Sequence, residues 1–346
     1  MNITKHLNKL NTSPPTHNIK AVGLLPFDGN EEDTLNISMP FPKWNELSWP
    51  QKWILRKGGK LDLPKPIQCV KSLKNILINE LLIIPKIKPN NPEYTLDFSK
   101  YRTCLGFKKK TKNCLLPENI NMDGDFAELC GFIIAEGGTS CKRDGRDNLF
   151  QLTFNKKEIE YIEYTAKNLE KYFNIKPSIR NSNHQNSTSV YISCEGLSRW
   201  YIENFRQVEN KKPAQTKIPD FVYQWDKELI RRFIVGWYKG DGSHSNYRKI
   251  QRIITVSRES ALGLQYLGLL IGCFISLTTC LAKNSTSMTN KGSKSMIQDQ
   301  YTCILNTETL YKLGLEHTPP KVKNGKWHQD DFNFYIPITS IEPVPL

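Results

Sequence analysis

The stretch FIVGWYKGDGSHS, Phe233 to Ser245, places Gly236, Gly240 and Asp241 at the end of an apolar helical run. Upstream, LCGFIIAEGGTS, Leu129 to Ser140, repeats the arrangement with Gly131, Ala135, Glu136 and Gly137 at an offset of 105 residues, 131 to 236 and 136 to 241. Residues four apart share a helix face, so Gly131 with Ala135, and Gly236 with Gly240, each clear a strip along which another backbone can approach. Removing side chains between two axes serves any close helix pair. Two such strips, facing each other, bring Glu136 and Asp241 together at helix C-termini. There the repulsion between carboxylates adds to the partial negative charge of unsatisfied carbonyls. A hard divalent cation on oxygen ligands reverses that problem, and Mg²⁺ holding phosphate oxygens suits it. One GDGS alone is a common turn, and one apolar helix ending in Glu-Gly is ordinary core. The matched pair carries the reading.

Similar elements follow each motif. Asp125 and Glu128 form a capping box before the run Leu129 to Ala135, and Gly137-Gly138 supplies a stop. NLFQLTF, Asn148 to Phe154, alternates as a strand, and Ile159, Ile162, Leu169 and Phe173 mark a helical stripe. KPSIRNSNHQNSTSVYISC reads as a hairpin with a polar tip and GLSRWYIENF as a helix. From Glu228 the order restarts: a helix to Asp241, the strand KIQRIITV, the helix ALGLQYLGLLIGCF, a hairpin from ISLTTCLAKNS and SMIQDQYTCILN, and a helix opening at TETLYKLGL. Two copies of one unit, helix–strand–helix–hairpin–helix, thus fill roughly Asp123 to Leu315 and predict a pseudo-two-fold arrangement. Before about Tyr101 the chain is rich in Pro and Asn with short candidate strands, PKWNELSWPQKWILRK being a short amphipathic helix broken by Pro50.

Composition limits the partners. The 346 residues carry 48 Lys and Arg against 34 Asp and Glu, a formal charge of +14, which favours polyanions, nucleic acid first and anionic membrane second. The longest apolar run, Tyr266 to Leu277, is too short to span a bilayer, and the N-terminal residues lack an apolar signal core, so a soluble intracellular protein is expected. Nine cysteines without paired spacing fit a reducing compartment, and Cys104 with Cys114 has no second close pair to complete a zinc site.

LCGFIIAEG and IVGWYKGDG resemble the signature of LAGLIDADG homing endonucleases in their single-chain, two-motif form. The resemblance runs from roughly Asp123 to Leu315 and is strongest at the two helices and at KIPDFVYQWDKELIRRFIVGWYKGDGS. The first copy departs by carrying Glu136 for the usual terminal Asp and Ile134 for the earlier acid, the second by Trp237 and Lys239. The family implies an α+β fold, αββαββα repeated twice, whose antiparallel sheets form a saddle over the DNA major groove. It also implies a monomer that binds double-stranded DNA and cuts it with Mg²⁺ or another divalent cation such as Mn²⁺ at Glu136 and Asp241. The same resemblance places Lys156, Arg258 and Lys217, with Lys212 competing for the last role, beside the metals. Candidate DNA contacts are Lys142, Arg143, Arg146, Arg180, Asn183 and Gln185 in the first half, with Arg248, Lys249, Gln251, Arg252, Lys283 and Gln298 in the second.

The corresponding division is an N-terminal extension at 1–119, read as a Hint-like remnant or an accessory DNA-binding region, repeats at 120–222 and 223–320, and a tail at 321–346 read as Hint-like. CVKSLKNILINELLIIPKI and FYIPITSIEPV resemble pieces of the Hint splicing domain that surrounds such endonucleases in inteins. With no nucleophile at the first position and no C-terminal His-Asn, self-splicing is not expected. The rival readings are an RNA-binding maturase acting on intron RNA and a DNA-binding protein that does not cut.

Overall fold

Aliphatic runs near the two ends of the chain pair with each other in the computed structural model. It describes residues 17–21, 26–27, 34–38, 68–72, 81–85, 94–102, 116–141, 147–182, 185–206, 216–245, 250–280, 286–289, 292–295, 299–316, 328–329 and 333–343. The candidate helix at PKWNELSWPQKWILRK, Cys104 and Cys114 lie outside them. The chain forms two units, one of residues 1–87, 276–278 and 317–346, the other of 88–275 and 279–316. In the first, strands β1 (His17–Ala21), β2 (Pro26–Phe27), β3 (Thr34–Ser38), β4 (Gln68–Ser72) and β5 (Leu81–Pro85) share a sheet with two strands from the far end of the sequence.

The second unit opens with a two-stranded sheet, β6 (Thr95–Asp97) antiparallel to β7 (Asn119–Asn121). The sequence reading starts the first repeat at 120, yet this unit begins at residue 88. The reason is apolar burial: Phe98, Tyr101, Leu116, Ile120 and Met122 are all buried, and Phe98 packs on Trp200 and Phe173 with ring centroids 5.2 and 5.7 Å apart. These aromatic rings belong to one core.

Asp123 then caps α1 (Gly124–Glu136) by accepting the Phe126 amide at 3.0 Å. The capping box expected from Asp125 and Glu128 does not form. Both residues lie inside the helix, and the Glu128 carboxylate is buried in ion pairs with another helix instead of reaching back to the cap. Residues Phe126 through Ile134 are buried without interruption, which marks α1 as a helix enclosed by protein on all sides.

The chain passes directly from α1 into β8 (Gly137–Cys141), a strand that the residue pattern alone reads as a stop. Gly137 is extended, with φ −74° and ψ 141°, and leads into pairing with β9 (Asp147–Asn155). Then follow α2 (Ile159–Phe173), β10 (Ser178–Asn181), β11 (Ser187–Ser193) and α3 (Glu195–Phe205). The sheet order is β10-β11-β9-β8, entirely antiparallel.

The second series repeats this order. Asp226 accepts the Leu229 amide at 2.9 Å and caps α4 (Lys227–Asp241), and extended Gly242 leads into β12 (Gly242–Ser245). After β13 (Ile250–Thr255) come α5 (Arg258–Leu270) and β14 (Ser276–Cys280). A small sheet of β15 (Thr286–Thr289) and β16 (Gly292–Ser295) interrupts the expected hairpin before β17 (Gln300–Leu305) and α6 (Thr307–Leu313). The order β12-β13-β17-β14 matches β8-β9-β11-β10 strand for strand. This is an α+β arrangement with αββαββα traced twice. In the first unit β18 (His328–Gln329) and β19 (Asn333–Pro343) complete the sheet, β19 lying between β1 and β5. Among the described residues no helix is long and apolar enough to cross a membrane.

Candidate active site and nucleic-acid interface

Helices α1 and α4 touch backbone to backbone. A Cβ built on Gly131 would stand 2.6 Å from the Trp237 amide nitrogen and 2.8 Å from the Gly236 Cα, besides overlapping the Phe233 carbonyl. One built on Gly236 would overlap the Glu128 carbonyl, and one on Gly240 would lie 2.5 Å from the Ala135 Cβ. These contacts advance together along both helices, so the helices run parallel and end side by side. Phe126, Trp225, Phe233 and Trp237 brace the pair with successive edge-on rings at 6.5, 6.2 and 6.0 Å.

Glu136 and Asp241 are the last residues of these helices. Burial, then the charge of Asp241, then that of Glu158 push the Glu136 carboxyl up to about 8. Asp241 has exposed surface at the helix tip but dense protein behind its carboxylate; that burial pushes it up to about 6, against a long 3.4 Å hydrogen bond donated by the Trp237 indole. Glu158, whose Oε2 accepts the Asn155 amide at 2.8 Å, is a neighbour that motif reading does not reveal. No local signal marks it, since it comes near through the β9–α2 turn.

These shifts predict a pH dependence. A carboxyl whose folded pKa lies above its unfolded value binds protons more tightly when folded, so its stabilisation is present at low pH and is lost as pH rises. In the metal-free protein the melting temperature should fall between about pH 5 and pH 8, and Glu136→Gln should flatten the upper part of that fall. Thermal melts with chelator across the range check this, and a melting temperature that climbs over the same window contradicts the coupling.

The three expected cations each have neighbours of their own. The Lys156 ammonium donates to the Ser182 carbonyl at 2.7 Å, tying the turn after β9 to the β10–β11 tip. Lys217 lies near Glu259, where it offsets the rise that burial imposes on that carboxyl, and its amide donates to Phe205 O at 3.0 Å. Arg258 favours the ionised form of Tyr301 against burial. Lys156 and Arg258 are also not equivalent: Lys156 precedes the cap residue Glu158 by two positions, whereas Arg258 follows the cap Ser257 as the first residue of α5. Lys212 lies outside the described residues.

The sheet faces are better defined. Along β9, Phe150, Leu152 and Phe154 are buried while Leu149, Gln151 and Thr153 face outward, and on β11 Ser187, Ser189 and Tyr191 do the same. Arg180, Gln185, Asn181 and Ser182 join them around a groove of about 530 Å³. Register aligns Arg180, Ser189 and Thr153 across three strands, with the two hydroxyls 3.2 Å apart. Gln151, Thr153, Ser189 and Tyr191 were missed as candidates, although the alternation of NLFQLTF and STSVYIS signals them. In the second sheet Arg252 donates from Nε to Ser243 Oγ at 3.1 Å on the outward face. Gln251 does not share that face: strand alternation sets it opposite Leu305, on the side of buried Ile253. Lys142, Arg143, Arg146, Asn183, Arg248, Lys249, Lys283 and Gln298 lie outside the described residues.

No protein-family model matches the chain. Among curated proteins of Methanocaldococcus jannaschii, it is 26% identical over 211 residues to DNA-directed RNA polymerase subunit Rpo1C, covering 61% of this chain and 22% of that protein. It is 30% identical over 192 residues to the uncharacterized protein MJ1054, covering 53% of this chain and 21% of that protein. The chain thus spans about a fifth of the length of these relatives. Among solved structures, the homing endonuclease I-DmoI in complex with DNA and Mn is similar at 14% identity and a TM-score of 0.38, over 56% of this chain and 98% of that one. The N-terminal LAGLIDADG domain of DUF199/WhiA is similar at 15% identity and a TM-score of 0.34, over 58% of this chain and 84% of that one. Both similarities run over a little more than half of this chain, one to a homing endonuclease bound to DNA and one to an N-terminal LAGLIDADG domain.

Proposed function

We propose that the chain is a site-specific endonuclease that hydrolyses phosphodiesters of double-stranded DNA, using a divalent cation held by Glu136 and Asp241. The observation that carries this reading is the meeting of two carboxyl groups, both pushed upward by burial, at the ends of parallel, closely packed helices. Among the described residues no group of three or more His, Cys, Asp or Glu could hold a metal. That donor set fits Mg²⁺ or Mn²⁺ at a substrate-completed site, since Mg²⁺ keeps several waters and takes one or two carboxylates plus phosphate oxygens. Glu136 and Asp241 would hold the cation, whose chemistry there would be charge neutralisation at phosphoryl oxygens and a bound water of lowered pKa. The chain's own residues hold and orient. Glu136 and Asp241 would hold the cation as carboxylates, their protons released to solvent, and Lys156, Lys217 and Arg258 are the basic groups proposed to meet charge on the phosphate.

In this reading the two sheets form the saddle. The row Arg180, Ser189, Thr153 with Gln151 and Tyr191 faces one half-site and Arg252 with Ser243 the other, while the net charge of +14 supplies phosphate contacts. The protein acts as a monomer inside the cell. Resemblance of the flanking strands to a Hint domain supports an intein-derived origin, with intron homing as the alternative source.

The test is binding and cutting of duplex DNA from the chain's own locus with its insertion removed. Affinity should fall with salt at a log–log slope of roughly −0.9 per neutralised phosphate. The target should bind about 10³-fold or more tighter than a shuffled duplex, with Arg180→Ala and Arg252→Ala each weakening readout at separate base positions. Equal affinity for both duplexes, with tighter binding to structured intron RNA, would replace this reading by the maturase.

A further inference from the structure

A one-sided ionic network crosses the helix pair. Glu128 of α1, only 2% exposed, places Oε1 2.6 Å from the Lys239 ammonium and Oε2 3.0 Å from the Arg232 guanidinium, both on α4. Arg232 also lies 3.0 Å from Asp125 of α1. Across this helix pair all the acids come from the first helix and all the bases from the second, Asp125 also meeting Lys171 of α2 at 3.4 Å. The 105-residue offset that relates the motifs sets Glu128 against Phe233, Asp125 against Ile230, Arg232 against Ala127 and Lys239 against Ile134. Each of those counterparts is apolar and buried. The duplicated interface therefore has charges along one flank and hydrocarbon along the other.

From this asymmetry we infer that the network is a pairing lock, which makes the partner of each motif helix the opposite repeat and not a second copy of itself. Setting α1 against another α1 would lay the Glu128 carboxylate among apolar residues with no cation opposite. Setting α4 against another α4 would leave Arg232 and Lys239 without acids. The first arrangement buries an unpaired carboxylate, which costs far more than the correct pair gains, and the second sets two part-exposed cations against hydrocarbon with no counter-charge. A buried ion pair adds little stability over well-packed hydrocarbon, so discrimination is what its retention offers here. Lys239, a departure from the usual motif, acquires its reason in the same contact. The inference is independent of any reaction at Glu136 and Asp241.

Two full-chain variants and their combination provide the test. Asp125→Lys with Glu128→Lys makes both flanks cationic; Arg232→Glu with Lys239→Glu makes both acidic. Each alone should melt lower by roughly 10 °C or more, and the quadruple variant, with the charges exchanged, should recover most of that loss. Refolded together, the two double variants should form a one-to-one dimer by native mass spectrometry, each first repeat pairing with the other chain's second. A third variant separates discrimination from stability: Glu128→Met with Arg232→Met and Lys239→Met should melt no lower than the parent, yet refold into a mixture of monomer and self-associated species. A strictly monomeric triple-Met variant, or a quadruple variant no more stable than its halves, overturns the lock.

Discussion

On the proposed endonuclease reading, Glu136→Gln and Asp241→Asn should each lose DNA cleavage by at least about 10²–10³-fold, the scale of removing one charge-stabilising group from a phosphoryl or acyl transfer site, while duplex binding should stay within a few-fold. Both substitutions keep size and hydrogen-bonding capacity and remove only the ionisable oxygen. The metal-free protein should not be destabilised. With burial and mutual repulsion holding Glu136 up to about 8 and burial holding Asp241 up to about 6, neutralising either carboxylate should raise the melting temperature at pH 8 or above. Cleavage assays with Mg²⁺ and with Mn²⁺, beside thermal melts in chelator, read both effects. Undiminished cutting would remove the acids from the reaction, and loss of folding would assign them to the core.

Gly236→Ala should cost roughly 1–3 kcal/mol by overpacking, a melting temperature lower by about 2–12 °C in a unit of this size, and Gly236→Leu should fail to fold. A Cβ at Gly236 meets the main chain of α1: the Glu128 carbonyl, with its carbon at 2.9 Å and the Cα at 3.1 Å. No rotamer change can relieve a clash with backbone inside an enclosed helix. Gly138→Ala is the matched control, since nothing lies within 4 Å of a Cβ placed there. Equal melts for Gly236→Ala and Gly138→Ala would mean that the helices do not approach as closely as described.

Some of this protein is written locally in its residues. The parallel motif helices announce themselves because small residues at a spacing of four, followed by an acid, occur twice at one offset. The strands of the sheets follow from alternation in NLFQLTF and STSVYIS. The outward polar positions were equally legible there, yet the candidates, basic and polar residues of the tips and of KIQRIITV, passed over Gln151 and Ser189.

Other features depend on contacts between distant segments. Asp123 and not Asp125 caps α1, and Glu128, expected to reach back to the cap, is drawn into a buried ion pair by Arg232 and Lys239, more than a hundred residues away. Strands β8 and β12 are too short to show a period of their own, and become strands by pairing with β9 and β13. Phe98 and Tyr101 look like part of an extension until Trp200 and Phe173 enclose them. Sequence alone determined which helices meet and which acids end them, since steric clearance and charge are properties of the residues themselves. Tertiary structure alone decided which flank of that meeting is ionic and which face of β13 each side chain takes, because register and the burial of charge exist only once two chain segments are in contact.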